Sequence, residues 1–136
     1  MGHNPHISNE TATAEATAAV AKANGGILRL YAGTQEDDAN TPTSDTVLSE
    51  HAIPNPACSS VVNGVATFNS IGTDTDANAS GDATWFRVFK ADGTSIVFDG
   101  SVGLTGSGAD LEMADVSIVQ HGTVYITELT YTASLN

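Results

Sequence analysis

The residues with the clearest capacity for chemistry stand at alternate positions in "TDTDANASGDATWFRVF", residues 73 to 89: Asp74, Asp76, Asn78, Ser80 and Asp82. Short carboxylates, amides and hydroxyls at this spacing are hard oxygen donors of the kind calcium takes, roughly six to eight at a time. The front of the run resembles the start of an EF-hand loop. That loop also needs glycine at its sixth position and a bidentate glutamate at its twelfth, where this chain has Ala79 and Trp85. The five residues are calcium candidates by type, and the same types build any exposed connector.

Other groups converge less. His3, His6, His51 and His121 are scattered, and no Cys or carboxylate cluster accompanies His3 and His6 as a structural zinc site requires. Cys58 has no second cysteine to bridge to, and no His with Asn or Asp stands at a spacing that marks it as a nucleophile. "GLTGSG" lacks the following helix and lysine of a phosphate cradle. Carboxylates such as Glu36, Asp37 and Asp38 are adjacent, without an apolar pocket to raise a pKa. Trp85 and Tyr125 have the ring area to stack on a sugar, although aromatic residues in strands more often pack in a sheet.

The elements that must position these groups are mostly strands. After an arm, "ETATAEATAAVAKAN" is Ala-rich, can be capped by Asn9 and ends in "NGG", which predicts a helix with a left-handed stop. Val20 is its single bulky apolar residue, so the helix must dock to persist, on its own domain or on a neighbour. "ILRLYAG", "TVLSEHAI" and "GVATFNSI" read as strands, with "TQEDDANTPTSD" a solvated acidic loop after the first.

"TWFRVFKADGTSIVFDGSV" predicts a hairpin on a type I′ Asp92-Gly93 turn, with Phe89 facing Ile96 and Arg87 facing Phe98. Trp85, Arg87 and Phe89 then share one face; Phe86, Val88 and Val97 share the other, which is the better core candidate. A second hairpin is expected around His121-Gly122, beyond the glycine-rich connection "GLTGSGAD". Six or seven short strands predict a mainly β protein: an antiparallel β-sandwich or partly closed barrel with an N-terminal Ala-rich helix and extended arm. Residues 1–25 form the arm and helix, and residues 26–136 the β domain.

Composition narrows the partners. Sixteen Asp plus Glu against four Lys plus Arg give a formal charge of -12, which repels phosphate backbones and anionic lipid. Nucleic acid and membrane are therefore not expected partners, and no cofactor is implied. No apolar run approaches the roughly 20 residues of a membrane span, and "MGHNPHISNE" lacks the basic and apolar regions of a signal peptide, so the expected origin is a cytoplasm.

"GGILRLYAGT", "GDATWFRVFKADGTSIVFDGSVG" and "SGADLEMADVSIVQHGTVYITELTYT" follow in an order that resembles a family of small virion proteins of tailed bacteriophages, over about residues 10–132. The resemblance implies a non-enzymatic, homo-oligomeric structural subunit that decorates or cements the exterior of the head and contacts the major capsid protein or other virion subunits. Neck, tail and fibre modules are alternative places, the last with glycan or calcium binding. On the decoration reading, His3, Pro5, His6, Ile7 and Val20 are the candidate partner contacts, because an arm and a docking helix can grip neighbours on a lattice.

Overall fold

The structure is a computed structural model that describes residues 6–133. Helix α1 (Asn9–Ala21) precedes β1 (Ile27–Tyr31), β2 (Val47–Ala52), β3 (Cys58–Val62), β4 (Val65–Phe68) and β5 (Gly81–Asp82). Then come β6 (Trp85–Phe89), β7 (Ile96–Leu104), β8 (Leu111–Met113), β9 (Ser117–Ile118) and β10 (Glu128–Thr132). Eight strands form one curled sheet in the order β2-β1-β6-β7-β8-β10-β4-β3, a half-barrel, while β5 and β9 pair separately. The class is mainly β with one helix among the described residues, as the sequence predicts. All pairings within the large sheet are antiparallel except β7 with β8.

That parallel pair explains the glycines of "GLTGSGAD". The chain leaves β7 and doubles back over it, so that Val102 lies beside Leu111 only a short loop later. Gly106 and Gly108 take φ of +87° and +84°, which side chains other than glycine rarely adopt. Asp110 fastens the return: its Oδ2 accepts from the Ser101 amide at 2.9 Å and from Ser101 Oγ at 3.1 Å.

Helix α1 starts one residue earlier than expected, because Ser8 is the cap and its Oγ accepts from the Thr11 amide at 3.1 Å. Ala12, Ala16 and Val20, spaced four apart, form its buried stripe against β3, β4 and β10. The helix therefore docks on its own domain. Small residues permit a close approach: a side chain on Gly64 would place its Cβ 2.7 Å from that of Ala12. The Gly64 amide donates to Thr13 Oγ1 at 3.0 Å.

The β3–β4 hairpin turns on Asn63-Gly64, with φ of +51° and +81°, the paired positive angles of a type I′ turn. The Asp92-Gly93 turn is a different kind. Among its residues only Gly93 has positive φ (+73°), so it is not type I′. Instead Asp92 Oδ1 accepts from the Thr94 and Ser95 amides at 2.8 Å each. The Ser95 hydroxyl and amide, with the Thr94 amide, hold its carboxyl below the usual carboxylate range.

The consequence is a register shift. Phe89 pairs with Ile96 as expected, but an irregularity between Val88 and Phe89 makes Val97 the extra residue, so Arg87 faces Asp99 and Val88 faces Phe98. Phe86 and Val88 do lie in the core. Around Phe98 the rings of Phe86, Tyr131 and Phe68 stand at centroid distances of 5.8, 5.1 and 6.2 Å. Such pairs add about 0.5–1.5 kcal/mol each beyond their buried area.

The second expected hairpin does not form. His121 takes φ +68° in a tight turn in which the Gly122 amide donates to the Val119 carbonyl. Its flanks then diverge: β9 pairs with β5, and Val124 bridges to Asp74.

Candidate functional site

The densest polar construction lies on the outer face of β1, β6 and β7, opposite the core. Tyr31 pairs with Trp85 and Arg29 with Arg87 across β1 and β6. The Tyr31 and Trp85 rings stack at 4.3 Å, and the guanidinium of Arg87 lies 5.1 Å from the Trp85 ring and that of Arg29 4.5 Å from Phe89. Two of the chain's four Lys and Arg residues are thus neighbours, an arrangement that repels unless each cation has a counter-ion. Arg29 Nε donates to Glu50 at 2.6 Å, and Arg87 donates to Asp99 Oδ2 through Nη2 at 2.9 Å and Nε at 3.2 Å.

The acidic loop 34–46 closes over this face rather than standing in solvent throughout. Asp45 Oδ2 accepts from Trp85 Nε1 at 3.1 Å and from the Thr34 amide at 3.2 Å. The Thr41 carbonyl accepts from Arg87 Nη1 at 2.7 Å, and Gln35 Nε2 donates to Asp99 Oδ1 at 2.8 Å. Trp85 and Arg87 are each only 1% exposed as a result. Burial pushes the Tyr31 phenol above its ordinary pKa, against the pull of Arg29 and Arg87. Beside the loop an open groove remains, bordered by Arg29, Tyr31, Pro42, Phe89 and Ile96. Chemically the assembly is a latch: its ion pairs join neighbouring strands, and Asp45, Gln35 and the Thr41 carbonyl hold the loop to them.

The five calcium candidates are separated by their partners. Asp74 Oδ2 accepts from the Glu50 amide and Oδ1 from the Asp76 amide, both at 2.9 Å. Asp76 pairs with His121 Nδ1 at 2.6 Å. Ser80 Oγ accepts from the Gln120 amide, the Asn78 carbonyl accepts from the Gln120 side chain, and Asp82 lies exposed on β5. No group of three or more His, Cys, Asp or Glu side chains among the described residues is placed to hold a metal. The alternation serves another purpose, because Asp74 covers part of the outer edge of β2.

One pairing was not legible in the sequence. Ser49 and His51, alternate residues of β2, face the core and meet at 2.9 Å between Oγ and Nε2. The Gly72 carbonyl, 2.8 Å from Nδ1, can only accept, so Nδ1 carries the proton and the Ser49 hydroxyl donates to Nε2. Burial lowers the His51 pKa against the opposing effects of Gly72 and Asp74. With Ser49 at 0% and His51 at 1% exposure, the pair is a core hydrogen bond. Cys58 is half-buried, which pushes its thiol up to about 11 and keeps it protonated near neutrality.

Of the candidate partner contacts, His3 and Pro5 lie outside the described residues. His6 is exposed, and Ile7 packs half-buried against the core. Val20, by its position on the helix stripe, turns into the chain's own core and is 4% exposed. Trp85 and Tyr125 do not form a common platform, since Trp85 is enclosed under loop 34–46 and Tyr125 is 68% exposed beside Ser117 and Thr123. Among the described residues the large exposed apolar side chains are instead Val62, Val65, Leu104, Val119 and Tyr125. The Asn63-Gly64 pair between "CSSVV" and "VATF" was the signal that could have located the first two.

No helix of the described residues is long and apolar enough to cross a membrane. No protein-family model, curated protein or solved structure matches the chain.

Proposed function

We propose that the chain is a structural subunit of a tailed-bacteriophage virion, a decoration protein that binds the outer shell of the head and bridges capsid subunits. The observation that carries this reading is the coherence of the motifs behind the resemblance. "LRLY", distant in the chain, and "TWFR", "DGSVG" and "ADL", which follow one another closely, fall on the adjacent strands β1, β6, β7 and β8 and the turn leading into β8, while the Ala-rich helix and "VSI" lie outside that block on α1 and at β9. Two of their polar members, Arg87 and Asp99, make a buried pair within that unit. A motif set that specifies one contiguous structural block behaves as a fold signature, which supports carrying the family's role with it. The strong negative charge supports a subunit that stays soluble before assembly and is kept from packaged DNA.

Purified heads lacking the protein provide the test. The full chain should bind them to a fixed copy number and raise the temperature at which the shell disrupts; failure to bind at micromolar concentration overturns the reading. Removing residues 1–5 tests the arm without disturbing α1, whose Ala12, Ala16 and Val20 belong to the core. Unchanged occupancy by that variant would remove the arm from the mechanism.

A further inference from the structure

We infer that β3 is a self-association edge, through which two copies of this chain join their sheets antiparallel about a two-fold axis. The large sheet has two terminal strands, and they are treated differently. On β2 the outward groups are occupied: the Leu48 carbonyl accepts from the Asn78 and Ala79 amides, the Ala52 carbonyl from the Gly72 amide, and the Glu50 amide donates to Asp74. Segment 72–79 therefore seals that edge.

On β3 no such cover exists among the described residues. Its ladder runs to β4 alone, and no bond outside that ladder reaches a backbone group of residues 58–62. Val62 and Val65 flank a two-residue turn and so bond to each other, which by alternation turns the Val61 N–H and C=O outward. The strand carries neither charge nor proline, and its one irregularity, between Cys58 and Ser60, lies at the end away from Val61 and Val62.

Charge selects the occupant. Residues 52–73 contain no Asp, Glu, Lys, Arg or His, so every acidic side chain behind the net charge of -12 lies elsewhere in the sequence. Through β3 two copies meet uncharged strand to uncharged strand, with Val62, 61% exposed, adding apolar contact, and the acidic residues beside that strand are Glu10 and Glu15 of the helix packed against it. The edge offers no charge by which an unlike strand would be chosen. Because β2 is sealed, the pairing closes as a dimer and cannot propagate into a fibre. The inference stands independently of the role proposed above.

Sedimentation of the full chain across a concentration series tests it. The expected result is a monomer–dimer equilibrium in which Val62→Glu, placing like charges near the axis, raises the dissociation constant at least about tenfold. Val119→Glu, at an equally exposed apolar site, should leave it unchanged, and an unaltered melting transition would show that Val62→Glu still folds. Slowed exchange of the Val61 amide in the dimer gives a second, substitution-free readout. A chain that stays monomeric at millimolar concentration, or a dimer indifferent to Val62→Glu, overturns the inference. If deleting residues 1–5 turns a monomer into a dimer, the wild-type edge belongs to the arm, and the inference fails for the intact chain.

Discussion

The two faces of β1 and β6 both bury most of their side chains, by opposite means. On the inner face Leu28, Leu30, Phe86 and Val88 pack in the core with the helix, the curled sheet and the ring cluster around Phe98. On the outer face Tyr31, Trp85 and the Arg87–Asp99 ion pair are closed over by loop 34–46 through hydrogen bonds. Apolar packing tolerates imprecision, because its cost is graded with lost volume. A buried charge does not, since removing one partner strands the other in a medium that cannot solvate it. The lesson is that the outer face, which contributes less apolar burial, should lose as much from one broken pair as the inner face loses from one deleted ring.

The largest effects test that directly. Phe86→Ala removes a fully buried ring and should cost about 3–5 kcal/mol by transfer and cavity terms. Arg87→Ala should cost a similar amount, about 3–5 kcal/mol, by removing the counter-ion of Asp99 and leaving its Oδ2 and the Thr41 carbonyl without the Arg87 donors. The comparison sharpens with Arg87→Met combined with Asp99→Asn, which removes both charges while keeping an acceptor for Gln35. Denaturant melts should then show a double variant less destabilised than the sum of the singles by about 0.5–3 kcal/mol. Additive losses would mean that the pair contributes shape rather than charge.

A smaller effect separates the loop from the sheet beneath it. Asp45→Ala withdraws the acceptor shared by the Trp85 indole and the Thr34 amide, and should cost about 1–3 kcal/mol. Trp85 is the chain's single tryptophan, so its fluorescence reports on this face alone. The maximum should move to the red in native conditions as water reaches the ring. An unshifted maximum would show that loop 34–46 is held by Arg87 and Gln35 without Asp45.

This division explains which features could be read from the chain. The helix, the strands at Leu28, Leu48, Ala66 and Phe86 and the placement of Phe86 with Val88 in the core follow from local pattern, because period and turn residues act over a few positions. The register of Arg87 was not legible, since the extra residue at Val97 answers to a buried guanidinium that needs Asp99 beside it. Loop 34–46 looks like a solvated acidic stretch because nothing near it in sequence reveals Trp85. Likewise Asp74 reads as a calcium donor until the Glu50 amide, a neighbour only in the fold, claims its oxygen. The turn at His121 was visible, but its flanking strands chose partners on Gly81 and Asp74, which no local rule specifies.

The smallest effect probes the inner face's own polar component. His51 is buried with its pKa below the ordinary 6.5, so the folded chain keeps it neutral where the unfolded chain already binds a proton. The unfolded state then holds more protons, and stability must rise with pH through that window. The contribution is fully present above pH 6.5 and is lost as pH falls through the lower folded value. Melting temperature should therefore decline below pH 6.5, before carboxylate protonation dominates, and His51→Gln should flatten that part of the profile while lowering the plateau. A decline that persists in His51→Gln would place the pH sensitivity outside the core. The inner face would then be as indifferent to charge as its apolar residues suggest, and the contrast between the two faces would be complete.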